Sequence, residues 1–181
     1  SVSNKKGLMC RFHTQTAGST LQAQQIDNNV IRTTMQAAAA ILGGTQSLHT
    51  NSRDEALSLP TEESAQLALR TQQILAYESG LPNVADPLAG SYFIESLTSE
   101  IETETLKLID AIDSRGGAIR AIEESFQQNE IANASFDYQQ SIETKEQIIV
   151  GVNKFQDTKS QQNESLFSVD NNSISDQIKR L

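Results

Sequence analysis

Arg11, His13 and Gln15 recur at every second position of the stretch RFHTQTAGST. In an extended strand that spacing puts all three on one face. A guanidinium, an imidazole and an amide can together bind anions, carbonyls and hydroxyls, and an imidazole can also carry a proton near neutral pH. A second polar group follows in TQSLHTN, where Gln46, Ser47, His49, Thr50 and Asn51 crowd one short segment. Asn51 and Glu55 stand four apart in NSRDEA and would share a face on a helical turn. Such a pair can hold two hydroxyls of a sugar, or can be a cap beside a solvated acid; the spacing leaves both open. His13 and His49 are the only histidines, and their neighbours match no zinc site. No Ser–His–Asp order and no glycine-rich phosphate loop stands out.

The elements that must position these groups follow from periodicity. LMCRFHTQT (8–16) alternates, which predicts a strand with Leu8, Cys10 and Phe12 packed under helices and Met9, Arg11, His13 and Gln15 opposite. DNNVIRTTMQAAAAILGG reads as a helix capped by Asp27 or Asn28, with Ile31, Met35, Ala38 and Leu42 as its buried stripe and Gly43 and Gly44 as its stop. Residues 45–51 form a second short strand. LPTEESAQLALRTQQILAYESGLP is a second helix, with Thr61 as cap, Glu62 and Glu63 at the positive end of its dipole, and Gly80 and Pro82 ending it. Residues 83–91 suggest a third, very short strand with Asp86 near its end. Helices are expected over 92–115, 117–126 and 128–143, then an apolar strand at 146–153, a polar connector from Lys154 to Ser165, and a short closing helix in SISDQIKRL.

Strand–helix–strand–helix–strand is the order of a parallel α/β fold, and crossovers of this length demand parallel pairing. The βα unit occurs about twice, which predicts a piece of a barrel or of a larger α/β domain. Both faces of a parallel sheet are normally apolar. The polar face of the first strand therefore needs a partner: a solvated edge or salt-bridge network, or a ligand-filled interior. The polar residues of all three segments gather at strand C-termini, where α/β barrels carry their sites.

The 181 residues suffice for one domain with a core. A net charge of −9 argues against nucleic acid or an anionic membrane as a general partner. Cys10 is the single cysteine, which fits a reducing compartment. No run is long enough to span a membrane. With no signal peptide and no initiator Met, the sequence reads as starting inside a longer protein.

RFHTQTAGSTL, NNVIRT, GGTQSLHTNSRDEAL, LPTEESAQLALRTQQILAYESG, DPLAGSYFIE and VGVNKFQ occur in order across about residues 8–156. Together they strongly resemble the methylmalonyl-CoA mutase large-subunit family. The resemblance implies an α/β fold, the C-terminal portion of a (β/α)8 TIM-type barrel followed by helices and a linker. Residues 1–152 would be that barrel portion with trailing helices, and 153–181 a polar linker with a short terminal helix. It implies adenosylcobalamin as cofactor and an acyl-CoA substrate whose pantetheine arm threads the barrel. The reaction implied is the radical isomerisation of methylmalonyl-CoA and succinyl-CoA.

By the same resemblance Arg11, His13, Gln46 and Ser47 would meet substrate, and Gln15, Gly18, Asn51, Glu55 and Ser58 the cofactor. His13 and Gln15 would be the catalytic pair, with Glu55 on the ribose hydroxyls. The partners implied are the remainder of the barrel and a cobalamin-binding domain or small subunit, in a dimer, in the cytoplasm or the mitochondrial matrix of a eukaryote. The family's Asp-x-His-x-x-Gly motif, which supplies the lower cobalt ligand, is not matched at either histidine, so this chain supplies no cobalt ligand. Ala17-Gly18-Ser19 stands where some members carry a Trp, and Arg53 where others carry an apolar residue. An isobutyryl- or hydroxyisobutyryl-CoA mutase and a non-catalytic barrel piece serving as a scaffold are the alternatives. The chain alone is expected to be inactive.

Overall fold

A computed structural model describes residues 4–157, 166–168 and 170–180. They divide into two compact units, residues 4–87 with 166–168 and 170–180, and residues 88–157. The chain is mixed α/β, mostly helical with a small parallel sheet.

The first unit runs β1 (His13–Gln15), α1 (Asn28–Leu42), β2 (Ser47–His49), α2 (Glu62–Tyr77). The strands pair in parallel, His13 against Ser47, Thr14 against Leu48 and Gln15 against His49, so α1 is the crossover. Gln46 N donates to Phe12 O at 3.2 Å and Thr16 N to His49 O at 3.1 Å, extending the ladder by one bond at each end.

β1 is shorter than its alternation predicts. The α1 helix ends in a tight turn in which Gly44 takes φ +81°, a left-handed conformation that favours glycine. The chain therefore enters β2 only at Gln46, and β2 offers nothing opposite residues 8–11. Lys5–Leu8 forms a 3-10 turn instead, and Leu8, Cys10 and Phe12 are exposed rather than packed under helices. The predicted third strand is also absent: Leu81–Asn83 is a 3-10 turn, and Asp86 beyond it has φ +48°.

Helix α2 starts as its sequence dictates. The Thr61 hydroxyl accepts from Ser64 N at 3.2 Å, with Glu62 and Glu63 in the first turn. Helix α1 turns a different face inward from the one its apolar spacing suggests. Its buried residues are Asn29, Thr33 and Ala37, whereas Ile31 and Met35 are 64% and 67% exposed. On that covered face Asn29 hydrogen-bonds to the loops after β1 and β2. Buried polar residues outnumber buried apolar ones among the described residues, and only Leu21, Ile26, Ala37 and Leu75 form the apolar interior of this unit. Its interior is therefore held largely by directed hydrogen bonds. A final helix, α6 (Asn171–Arg180), fulfils the closing helix of the sequence reading.

The second unit is helical: α3 (Tyr92–Asp113), α4 (Ala118–Glu123) and α5 (Phe126–Glu143). Gly116 and Gly117, both at φ +96°, break α3 from α4 as the sequence signals. Arg115 lies over the Phe126 ring at 3.9 Å. Residues 146–153 form a turn rather than a strand. Gly151 N donates to Lys154 O at 2.8 Å, while Asn153 Nδ2 donates to Ile142 O at 2.9 Å and to Gln147 O at 2.7 Å. The apolar run is spent within that turn, so only one isolated bridge, Val150 to Lys154, remains. Most of the predicted polar connector, 158–165, lies outside the described residues.

Candidate functional site

Alternation across two paired strands sorts their side chains. Thr14 and Leu48 are half-buried, and His13, Gln15, Ser47 and His49 are exposed together on the other face. His13 Nδ1 and Ser47 Oγ are 2.7 Å apart, bridging the strands at their first register pair. Gln46 is engaged with backbone at the strand starts: its Oε1 accepts from Phe12 N at 2.7 Å and its Nε2 donates to Gly44 O at 2.7 Å. Arg11 is exposed and donates to Met9 Sδ at 3.6 Å. Arg11 and His13 are both exposed.

At the strand ends the chain gathers a tighter cluster. Gln15 Nε2 donates to Asn51 Oδ1 at 3.1 Å, and Asn51 Nδ2 donates to Glu55 Oε1 at 3.0 Å. The amide relay thus ends on a carboxylate. Asn51 itself is buried and fixed by its backbone N–H, which donates to Thr16 Oγ1 at 2.9 Å. After Asn51 the chain makes a helical turn in which Leu57 N and Ser58 N both donate to Asp54 O, at 2.8 and 3.0 Å. Just before it, Glu55 N donates to Ser52 O at 3.3 Å, a turn that brings Asn51 and Glu55, four residues apart, together.

Gly18 opens a 3-10 turn, Gly18–Thr20, beside this cluster. A Cβ there would stand 2.4 Å from Glu55 Oε1 and 3.1 Å from Asn51 Nδ2. Without a Cβ the turn lies against the end of the exposed Glu55 side chain, which an added methyl would push aside. Ser58 is half-buried and donates to Leu59 O at 2.8 Å. An open cleft of about 580 Å3 borders the cluster, with Gln15, His49, Ser52, Glu55 and Ser58 in its wall.

Three residues that periodicity did not single out hold the β2–α2 loop. Asp54 is buried, and its Oδ2 accepts from Thr61 N at 3.0 Å and Thr61 Oγ1 at 3.2 Å. Burial pushes the Asp54 pKa up, but hydrogen bonds from the Thr61 backbone and from the Ser52 and Ser64 hydroxyls outweigh it, leaving the carboxyl below its ordinary value. Thr50 Oγ1 donates to Ala68 O at 2.8 Å and accepts from Gln72 Nε2 at 3.0 Å, tying the end of β2 to α2. Arg53 pairs with Asp27 and, at 3.4 Å, with Glu63, so it joins the starts of α1 and α2. The available signal for Asp54 was an acid seven residues before a threonine cap, within reach of a helix start.

Of the site residues expected from sequence, Gln15, Gly18, Asn51 and Glu55 come together, with Ser58 on the same cleft. His13 and Ser47 form a separate pair, and Arg11 and Gln46 join neither group. The polar strand-end cluster, with its flush glycine, has the sequence surroundings of one known family: the methylmalonyl-CoA mutase family model matches residues 1–181.

The chain belongs to the methylmalonyl-CoA mutase family.

Mitochondrial methylmalonyl-CoA mutase of Bos taurus is 47% identical over 179 residues, covering 98% of this chain and 24% of that protein. Methylmalonyl-CoA mutase of Rhizobium meliloti is 43% identical over 175 residues, covering 96% and 24%. The 2-hydroxyisobutanoyl-CoA mutase large subunit of Aquincola tertiaricarbonis is 41% identical over 177 residues, covering 98% and 32%. The chain spans about a quarter to a third of the length of these mutases. The family resemblance read from the six motifs is borne out. Among the described residues no helix is long and apolar enough to cross a membrane.

Proposed function

We propose that the chain is part of the catalytic subunit of an adenosylcobalamin-dependent acyl-CoA mutase, an isomerase, and that its strand-end cluster faces the adenosyl group. The observation that carries this reading is the relay from Gln15 through Asn51 to Glu55, with Gly18 flush against the carboxylate. A carboxylate whose Oε1 is held by an amide keeps Oε2 for a vicinal diol, and the flush glycine lets a flat ligand approach backbone. Such a donor and acceptor set fits a nucleoside, and the adjoining cleft gives it room.

Adenosylcobalamin, when bound, supplies the radical chemistry. The residues of this chain bind and orient. Glu55 and Asn51 hold the ribose, Gln15 sets the orientation of Asn51 and lies at the reacting end, and Ser58 lines the cleft. His13, oriented by Ser47, offers Nε2 to the acyl thioester. Arg11 and Gln46 border the substrate path, with Arg11 as its cationic member. In this reading β1 and β2 are consecutive strands of a (β/α)8 barrel, and their exposed polar face looks into the lumen. Residues 1–152 belong to that barrel with its trailing helices, and 153–181 lead away from it. The rest of the barrel, a cobalamin-binding domain that supplies the cobalt ligand, and a second subunit complete the enzyme, in the cytoplasm or the mitochondrial matrix.

The test is coenzyme titration of the full-length subunit. Glu55→Ala should raise the Kd for adenosylcobalamin about tenfold, the loss of about 1.4 kcal/mol. Unchanged affinity removes Glu55 from the site. The identity shared with the 2-hydroxyisobutanoyl-CoA mutase large subunit supports a second reading, rearrangement of a branched hydroxyacyl-CoA, with Ser19 leaving room where other members carry an aromatic ring. Turnover of a thioester panel by the intact enzyme separates the two.

A further inference from the structure

Helix α1 meets the loops of the site with amides where apolar side chains would ordinarily pack. Gln36 Oε1 accepts from Ala17 N at 2.6 Å, and its Nε2 donates to Thr20 Oγ1 at 2.7 Å. The Thr20 hydroxyl in turn donates to Ala17 O at 2.7 Å. One side chain thus closes both ends of the Gly18 turn. Asn29 stands seven residues earlier, two turns along the same face of α1. It is fully buried. Its Oδ1 accepts from Gln22 N at 3.0 Å and from Arg32 Nη1 at 2.7 Å, and its Nδ2 donates to Gln22 O and Arg53 O, both at 2.8 Å. Asn29 therefore ties the loop after β1 to the loop after β2.

Burying an amide costs several kcal/mol unless its hydrogen bonds are made, and the buried Asn29 is engaged at donor and acceptor, as is the half-buried Gln36. Asn is a weak helix former compared with Ala or Leu, so helix propensity does not account for Asn29 at its inward position. The two clamps hold the two loops that meet where Gly18 faces Glu55. That contact is close: a Cβ at Gly18 would push the end of the Glu55 side chain aside. We propose that Gln36 and Asn29 are positioning residues that hold the Gly18 turn flush against Glu55 and so set the shape of the ribose-binding edge. This rests on the reading above that Glu55 faces the ribose.

The experiment compares binding of adenosylcobalamin and its 2′-deoxyadenosyl analogue to the full-length subunit and to its Gln36→Leu, Gln36→Glu, Asn29→Asp and Glu55→Ala variants. The unsubstituted subunit should prefer the natural coenzyme about tenfold, the scale of one hydrogen bond to a charged group. Gln36→Leu and Asn29→Asp should cut that preference to about twofold. Gln36→Glu keeps an acceptor for Ala17 N–H and should recover part of it. Hydrogen exchange at the Ala17 amide should quicken in Gln36→Leu and slow again in Gln36→Glu.

If Gln36→Leu and Asn29→Asp weaken both coenzymes equally and leave the preference intact, the residues are merely structural and the inference fails. If Glu55→Ala abolishes the preference while those two keep it, the inference fails and the reading of Glu55 stands. If Glu55→Ala itself keeps the preference, the reading falls and the inference with it. Should Gln36→Leu not fold, the preference measured in Gln36→Glu decides: a value below that of the unsubstituted subunit supports the clamp, and an unchanged value overturns it.

Discussion

The two units solve the same problem with opposite means. In the first, the loop from Thr50 to Ser64 buries hydroxyls, an amide and a carboxylate, and pairs Thr50 with α2 backbone, Asp54 with the backbone of the α2 cap Thr61, and Asn51 with Gln15 and Glu55. In the second, α3 and α5 are long and amphipathic, yet neither buries a single residue, and Ala121 of α4 is the buried apolar side chain of that unit. Isolated helices are marginal in water, and apolar stripes stabilise them only when covered. The strand-end cluster is therefore specified by contacts within its own unit, whereas the helices of the second unit do not cover their own stripes.

The largest break of this contrast is at Asp54. Asp54→Ala leaves Thr61 N–H without its acceptor and should cost about 2–3 kcal/mol, read as a lowered urea midpoint. Its charge gives a pH signature. Because the folded pKa of Asp54 is depressed, its stabilisation is present above the unfolded carboxylate value and is lost as pH falls through the lower folded value. Asp54→Asn should therefore flatten the acid limb of the stability profile below about pH 4.

Next is Gly18→Ala in the full-length subunit. The added methyl displaces the end of an exposed side chain, so melting should shift little, while the coenzyme Kd rises about tenfold. A large fall in melting temperature with normal binding would place Gly18 in folding instead. Arg53→Met removes two ion pairs whose acidic partners are largely exposed, and should cost no more than about 1 kcal/mol by urea unfolding. Smallest is Ile101→Ser on α3, where the side chain is 57% exposed: below about 0.5 kcal/mol in this chain. A loss comparable to that of Asp54→Ala would show that the second unit has a core of its own.

Much of the fold was legible because local chemistry wrote it. Thr61 with Glu62 and Glu63 announced α2, and the paired glycines at 43–44 and 116–117 announced the breaks around them. The Asn51–Glu55 spacing placed both on one turn. Other features were misread for a shared reason: periodicity shows that a segment has faces without showing which face meets a neighbour. Ile31 and Met35 looked like the core stripe of α1, but Asn29, Thr33 and Ala37 took that place, with Asn29 reaching loop backbone. Residues 83–91 and 146–153 read as short strands, and each closes into a turn instead.

By itself the sequence determined the parallel βα order, the polar face of β1 with its alternating His13 and Gln15, and the family. These follow from residue spacing and from motifs read along one chain. Only the tertiary structure decided that Gln15, Asn51 and Glu55 form one relay, that Gly18 seals it, and that Asp54, Asn29 and Gln36 hold the loops beneath. The contacts of Gln15 with Asn51, of Gly18 with Glu55, of Asn29 with Arg53 and of Gln36 with Ala17 join residues far apart in the chain, and a directed hydrogen bond or close approach between distant groups leaves no period in the sequence to read.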